Sequence, residues 1–264
     1  MAKNNANAVV KDTLEKVWET PRELSRPECV TFNAKNKVLY VSNQGGNASG
    51  DGFISKVSLD GKIIELKWIS GLSNPCGMSI YKQKLYVADN KEVVEIDIKN
   101  SAISKKYLAE DSKSLNDIAI DDKGILYISD YKGSAIYRLT GDKMERWIDS
   151  PDLNNVNGLL YENKRLVVGT SKNVYTVELP SAKMALYIMR KGFVDGISPI
   201  GDGRYLISDW GGNINMIQPG KADVLIYSSV ALKINQADFT FLKKTRMLYS
   251  PTFGNSSVIA YRLK

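Results

Sequence analysis

The chain is 264 residues long, carries 36 lysines and arginines against 29 aspartates and glutamates, and contains no histidine. A hydrophobic content of 43% supports a sizeable core and excludes global disorder. The missing histidine excludes Ser-His-Asp and Cys-His nucleophiles, a His-ligated zinc and a proximal-His haem, so any catalysis has to run on carboxylates, amides, hydroxyls, lysines or an oxygen-bound metal.

The net charge of +7 is spread thinly. Lysines occur singly or in pairs such as Lys105-Lys106 and Lys243-Lys244, which describes a solvated surface rather than an arginine-rich nucleic-acid stripe. No apolar run approaches the ~20 residues that span a bilayer. Near the start only Ala8-Val9-Val10 is apolar, too short for the core of a signal peptide, so a cytoplasmic protein and a mature exported form both stay open. The expected partner is a small molecule, with no nucleic acid, no membrane and a monomeric state.

Residues 1–12 read as a flexible lead-in. After them a short apolar strand recurs along the chain: Leu39-Tyr-Val-Ser-Asn43, Leu85-Tyr-Val-Ala-Asp89, Leu126-Tyr-Ile-Ser-Asp130, Leu166-Val-Val-Gly-Thr170, Tyr205-Leu-Ile-Ser-Asp209 and Met247-Leu-Tyr-Ser-Pro251. The copies repeat about every forty residues, the period of a propeller blade. Each is preceded by another strand, such as Val30-Thr-Phe32 or Ile118-Ala-Ile120, and followed by a third, such as Val93-Val-Glu-Ile96. A fourth carries Ile64-Glu-Leu-Lys-Trp68 and Met144-Glu-Arg-Trp147. The last copy stops at its third strand, and Leu14-Glu-Lys-Val-Trp18 supplies the missing pattern, with Trp18 in the place of Trp68 and Trp147. The expected fold is therefore all-β: one domain, a six-bladed β-propeller with four-stranded blades, its ring closed by the N-terminal strand.

In such a ring the first strand of every blade lines the central channel. In register, its entry positions are Glu28, Cys76, Asn116, Asn157, Asp195 and Ala237. Glu28, Asn157 and Asp195 offer two carboxylates and an amide oxygen, hard donors suited to Ca²⁺, Mg²⁺ or Mn²⁺. A water-filled channel in which these groups satisfy one another is the equal alternative. Cys29 and Cys76 read as buried thiols, an inter-blade disulfide or a soft ligand near an ion.

The six-copy period, Pro27-Glu28, Asn116-Asp117, Asn157-Gly158 and Asp195-Gly196 together resemble the SMP-30/gluconolactonase/LRE-like family. That resemblance implies a divalent metal at the top of the pore, calcium first with magnesium, manganese or zinc as alternatives, held by Glu28, Asn157 and Asp195. It also implies a loop amide near metal and substrate at Asn116. The family's sugar lactonases tend to carry an arginine two residues before the Asn-Asp pair, and here Ser114 stands there. The implied activity is hydrolysis of a lactone or related small ester, with Asp195 as base and Asn116 as oxyanion donor.

Loops between second and third strands should reach the same face. Tyr131, Trp210 and Phe253 would wall a substrate pocket with Cys76 and Asn116, and Lys91, Lys132 and Lys172 would favour a carboxylate or phosphate substituent on a sugar-like ring. A non-catalytic propeller that binds a small ligand or a protein, with a structural metal, is the competing reading.

Overall fold

The computed structural model describes residues 12–264 except 47 and 49; the expected lead-in, apart from Asp12, lies outside the described residues. Six four-stranded antiparallel sheets follow one another round a ring. Five are continuous in the chain, spanning residues 27–72, 75–108, 115–149, 159–189 and 197–228. The sixth joins residues 240–263 to the strand Leu14–Glu19. Among the described residues no helix is long and apolar enough to cross a membrane.

The repeat builds its core between blades rather than within them. Six hydrophobic clusters occupy the six seams. Tyr40, Ile54 and Trp68 of the first blade pack with Met78, Leu85 and Val94 of the second, and the pattern continues to a sixth cluster that joins Val30, Leu39 and Val57 to Tyr249 and Val258. Alternation explains this arrangement, because every strand in a propeller blade shows one face to each neighbouring blade and both faces are apolar.

Trp18 completes the sixth blade as the sequence predicts. Trp68 stacks on Tyr40 with centroids 4.6 Å apart, Trp147 meets Tyr127 at 5.0 Å, and Trp18 meets Tyr249 at 5.6 Å. In each pair the tyrosine belongs to the second strand and the tryptophan to the outer strand of one blade. The indole also reaches the next blade: Trp68 Nε1 donates to Ser101 Oγ at 2.8 Å, and Trp18 Nε1 to the Leu59 carbonyl at 2.9 Å. Leu14 pairs with Leu263 and Glu19 with Ile259 along the closing ladder.

Trp18→Ala should remove ring packing and a seam hydrogen bond together, lowering stability by about 2–3 kcal/mol in urea unfolding. Val17→Ala, on a side chain 45% exposed, should change it by less than about 1 kcal/mol.

Candidate functional site

The motif that marks each second strand ties down the channel strand beside it. The hydroxyls of Ser42, Ser129 and Ser208 accept the backbone N–H of Cys29, Asp117 and Gly196 at 3.0, 2.8 and 2.9 Å. The next residue of the motif holds the segment that leads in. Asn43 Oδ1 accepts from the Ser25 N–H at 3.0 Å, Asp89 from Ser73 at 2.9 Å, and Asp130 from Lys113 and Ser114 at 3.0 and 2.8 Å. In the first and third blades the ladder register breaks between these two fastenings, at Pro27/Cys29 and Leu115/Ile118, and in the second, where Ala88 stands in place of the serine, it breaks at Pro75/Met78. Such bulges re-aim a side chain, and they fall at Glu28, Cys76 and Asn116.

In the fourth and fifth blades Asn157 and Asp195 stand just ahead of the channel strand, their N–H groups donating to the carbonyls of Gly169 and Ser208 at 3.0 and 2.9 Å. Gly158 is required by packing: a Cβ there would lie 2.2 Å from the Asp195 carbonyl oxygen. The glycine after the asparagine thus lets neighbouring backbones close round the pore.

Glu28, Asn157 and Asp195 converge as expected and are buried, with exposures of 4%, 4% and 1%. Asn157 Nδ2 donates to Asp195 Oδ1 at 3.0 Å. Glu28 Oε2, Asn157 Oδ1 and Asp195 Oδ2 are left buried with no hydrogen-bond partner. Buried polar atoms are nearly always paired, so three orphaned oxygens on three residues of one floor are an unmet demand for a donor or a cation. The described residues hold no ligating cluster of three His, Cys, Asp or Glu side chains. A divalent cation here would take its third protein donor from the Asn157 amide, and the hard oxygen set fits one.

Two further acids face the channel. Asp117 is 5% exposed and joins two blades, its Oδ1 accepting from the Ile118 N–H and its Oδ2 from the Leu159 N–H, both at 2.7 Å. Asp238 Oδ2 accepts from Cys29 Sγ at 3.0 Å, and the Asp238 N–H donates to the Glu28 carbonyl at 3.0 Å. None of these four acids forms an ion pair among the described residues. Without a cation, burial, reinforced by Asp117, pushes Asp195 up to about 7. Burial pushes Asp117 up to about 6. Glu28 is held well above its usual range by burial and then by Asp195, and Asp238 by burial and then by Asp117.

Above this floor opens a cavity of about 840 Å³ lined by Glu28, Asn157, Asp195, Asn116, Tyr131 and Trp210 among others. The Asn116 side chain is half-buried and makes no hydrogen bond. Tyr131 meets Phe193 edge-on at 6.0 Å, Trp210 meets Phe253 at 4.8 Å, and the Arg26 guanidinium lies 4.9 Å from the Phe253 ring.

Two expected pocket residues sit elsewhere. Cys76 is 3% exposed and lies behind Gln44, which donates Nε2–H to its sulfur at 3.3 Å and lines the cavity in its place. Lys91 is exposed on its turn and does not line the cavity; Lys132 and Lys172 are likewise exposed outside it. Cys29 and Cys76 are both free thiols, so the inter-blade disulfide is not formed. Arg26 and Phe193 are cavity residues that the ring alignment passes over. Both occupy the position two before a ring residue, ahead of Glu28 and Asp195, so reading that offset as well would have found them.

The sign of the pH dependence follows from the raised carboxyls. Below about pH 4 these acids carry protons in the folded and unfolded chain alike and their contribution to stability is fully present; it is lost as pH rises through 6 to 7, where the unfolded chain has already released them. Urea unfolding in EDTA should therefore show stability falling from pH 5 to pH 8, and Asp195→Asn should flatten the slope. A profile that rises over this range would show these carboxyls ionised in the folded protein.

No protein-family model and no curated protein matches the chain. Solved structures do match. A catalytically inactive histidine-to-alanine variant of virginiamycin B lyase from Staphylococcus aureus with quinupristin is 13% identical, with a TM-score of 0.70 over 96% of this chain and 100% of that one. A streptogramin B lyase structure is also 13% identical, with a TM-score of 0.70 over 96% and 98% of the two chains. The selenomethionine-substituted S. aureus lyase is 14% identical, with a TM-score of 0.69 over 96% and 100%. At this identity the likeness is one of fold, and it does not single out the SMP-30/gluconolactonase family.

Proposed function

We propose that the cavity is the active site of a divalent-cation-dependent hydrolase of lactones or related small esters. The observation that carries the reading is the trio of buried, unpaired oxygens on Glu28, Asn157 and Asp195 at the floor of an open cavity. A binding site with a merely structural role has no need of carboxylates left unsatisfied beneath a ligand-sized space. The lyase variant named above is inactive without one histidine, and this chain has none, so chemistry resting on a histidine is closed to it.

When bound, a divalent cation supplies Lewis-acid polarisation and makes water more acidic. The protein's own groups do the rest. Glu28 and Asp195 balance the ion's charge, and Asn157 adds an oxygen donor without adding charge. Asp195, oriented by the Asn157 amide, is placed to accept a proton. Water adds its oxygen to the carbonyl carbon while Asp195 takes the proton. The acyl C–O bond then breaks, and the leaving alkoxide recovers that proton, giving a hydroxy acid or an acid and an alcohol. The unpaired Asn116 side chain is positioned to donate an N–H to the oxyanion, which a neutral amide does without perturbing the acidic floor.

Protein stripped with EDTA should lose turnover on a lactone and ester panel and regain it with one of Ca²⁺, Mg²⁺, Mn²⁺ or Zn²⁺. The restoring ion at about 100 times its Kd should add roughly 2.7 kcal/mol of stability, and Asp195→Ala should abolish both effects. Asn116→Ala should lower kcat by about 10²-fold while leaving the cation-induced stabilisation intact. Full activity in EDTA would overturn the cation-dependent reading.

A further inference from the structure

The walls of the cavity differ from its floor. Phe193, Trp210, Val230 and Phe253 come from the fifth and sixth blades and the loops leading into them, with Tyr131 of the third blade packed on Phe193. Trp210 and Val230 are 41% and 49% exposed, and Leu232 beside them is 67% exposed. Large apolar side chains held open on one side of a cavity bury surface when a ligand arrives.

The polar side chains of the wall are mostly spoken for. Gln44 donates to the Cys76 sulfur, and its Oε1 accepts from Arg26 at 3.2 Å; Arg26 also donates to the Gly46 carbonyl at 2.9 Å. Asp209 accepts from the Asn213 N–H at 3.0 Å and from Asn213 Nδ2 at 2.9 Å, which fixes the turn carrying Trp210. Arg26 is the one cation among the described lining residues, and Asn116 is the wall amide that makes no hydrogen bond. On the wall the Tyr131 hydroxyl, the Trp210 indole N–H and the Asn116 amide are the polar groups without a partner among the described residues, so a ring bearing hydroxyls all round would set several of them against aromatic faces, whereas a single carbonyl needs only the floor and Asn116.

We infer that the substrate is a lactone or ester whose carbonyl lies at the floor beside Asn116 while an aromatic or branched-alkyl substituent fills the space between Trp210, Val230, Phe253 and Phe193. A polyhydroxylated sugar lactone does not fit this chemistry. The inference rests on the hydrolase reading for the carbonyl end alone; the apolar wall stands independently of turnover.

The experiment separates the two. Cation-loaded protein is titrated with non-hydrolysable lactams, one carrying a phenyl or hexyl group and one polyhydroxylated, with binding read by thermal shift and by tryptophan fluorescence. In parallel, kcat/KM is measured for the matching lactones. The aryl- or alkyl-substituted lactam should bind at least ten-fold more tightly than the polyhydroxylated one, and the lactones should rank in the same order. Trp210→Ala should shrink that preference to less than three-fold, with an unchanged circular dichroism spectrum and unchanged cation stabilisation showing the fold and floor intact. Equal or tighter binding of the polyhydroxylated lactam, or no binding of either, overturns the inference. Selective lactam binding with no lactone turnover under any cation sustains the apolar-wall preference and overturns the hydrolase reading instead.

Discussion

Much of the pore depends on one hydrogen bond made in three of the six blades: a serine hydroxyl near the end of a second strand accepting the backbone N–H of the channel strand beside it. In the first and third blades this contact, with the capping amide or carboxylate that follows it, fastens the chain before and after the ring position; in the fifth the serine hydroxyl fastens Gly196 while Asp209 caps its own turn. The ring side chain is left no conformational choice but to face the axis. The Ser-Asn and Ser-Asp ends of the repeat are therefore site-building residues as much as blade-building ones. Where the motif changes, the fastening changes too. Thr170 turns its hydroxyl to the Asn173 carbonyl, and the fourth blade relies on backbone bonds to place Asn157.

That fastening allows an arrangement that would otherwise relax. Four acids face one narrow channel without a cationic partner, and each is driven toward the protonated state mainly by burial. A looser pore would let water in or swing the carboxyls outward. Asp117 and Asp238 are tethered by backbone N–H groups and a thiol, whereas Glu28 and Asp195 each keep an oxygen idle. The division separates acids that hold blades together from acids that keep an unpaired oxygen at the cavity floor.

Much of this was legible in the residues. The forty-residue period, the substitution of Trp18 for an outer-strand tryptophan and the convergence of Glu28, Asn157 and Asp195 all follow from register, because a propeller repeats its geometry as faithfully as its sequence. The misses have physical reasons. Asp117 and Asp238 stand one position past the ring residue, where strand alternation predicts an outward side chain; bulging and the parallel bridge between Cys29 and Asp238 cancel that alternation. Cys76 shares the register of Glu28 but is too short to pass Gln44, which comes from a loop that the strand pattern does not place. The turn lysines point to solvent because their loops are tight and polar, and the aromatic residues took the inward positions.

The closing strand also sets when the site can exist. Glu19 and Ser257, hydrogen-bonded across the last ladder, are 238 residues apart, among the longest-range contacts in the chain. Joining such distant segments carries a large loop-closure entropy and tends to come late in folding. The backbone bond from Asp238 to Glu28 joins the entry of the sixth blade to that of the first, while Asn157 and Asp195 arrive with blades made long after Glu28. A partly folded chain can hold the fourth and fifth blades, with Asn157 bonded to Asp195, and still lack Glu28 across the floor. The assembled site is thus a property of the closed circle rather than of any one blade.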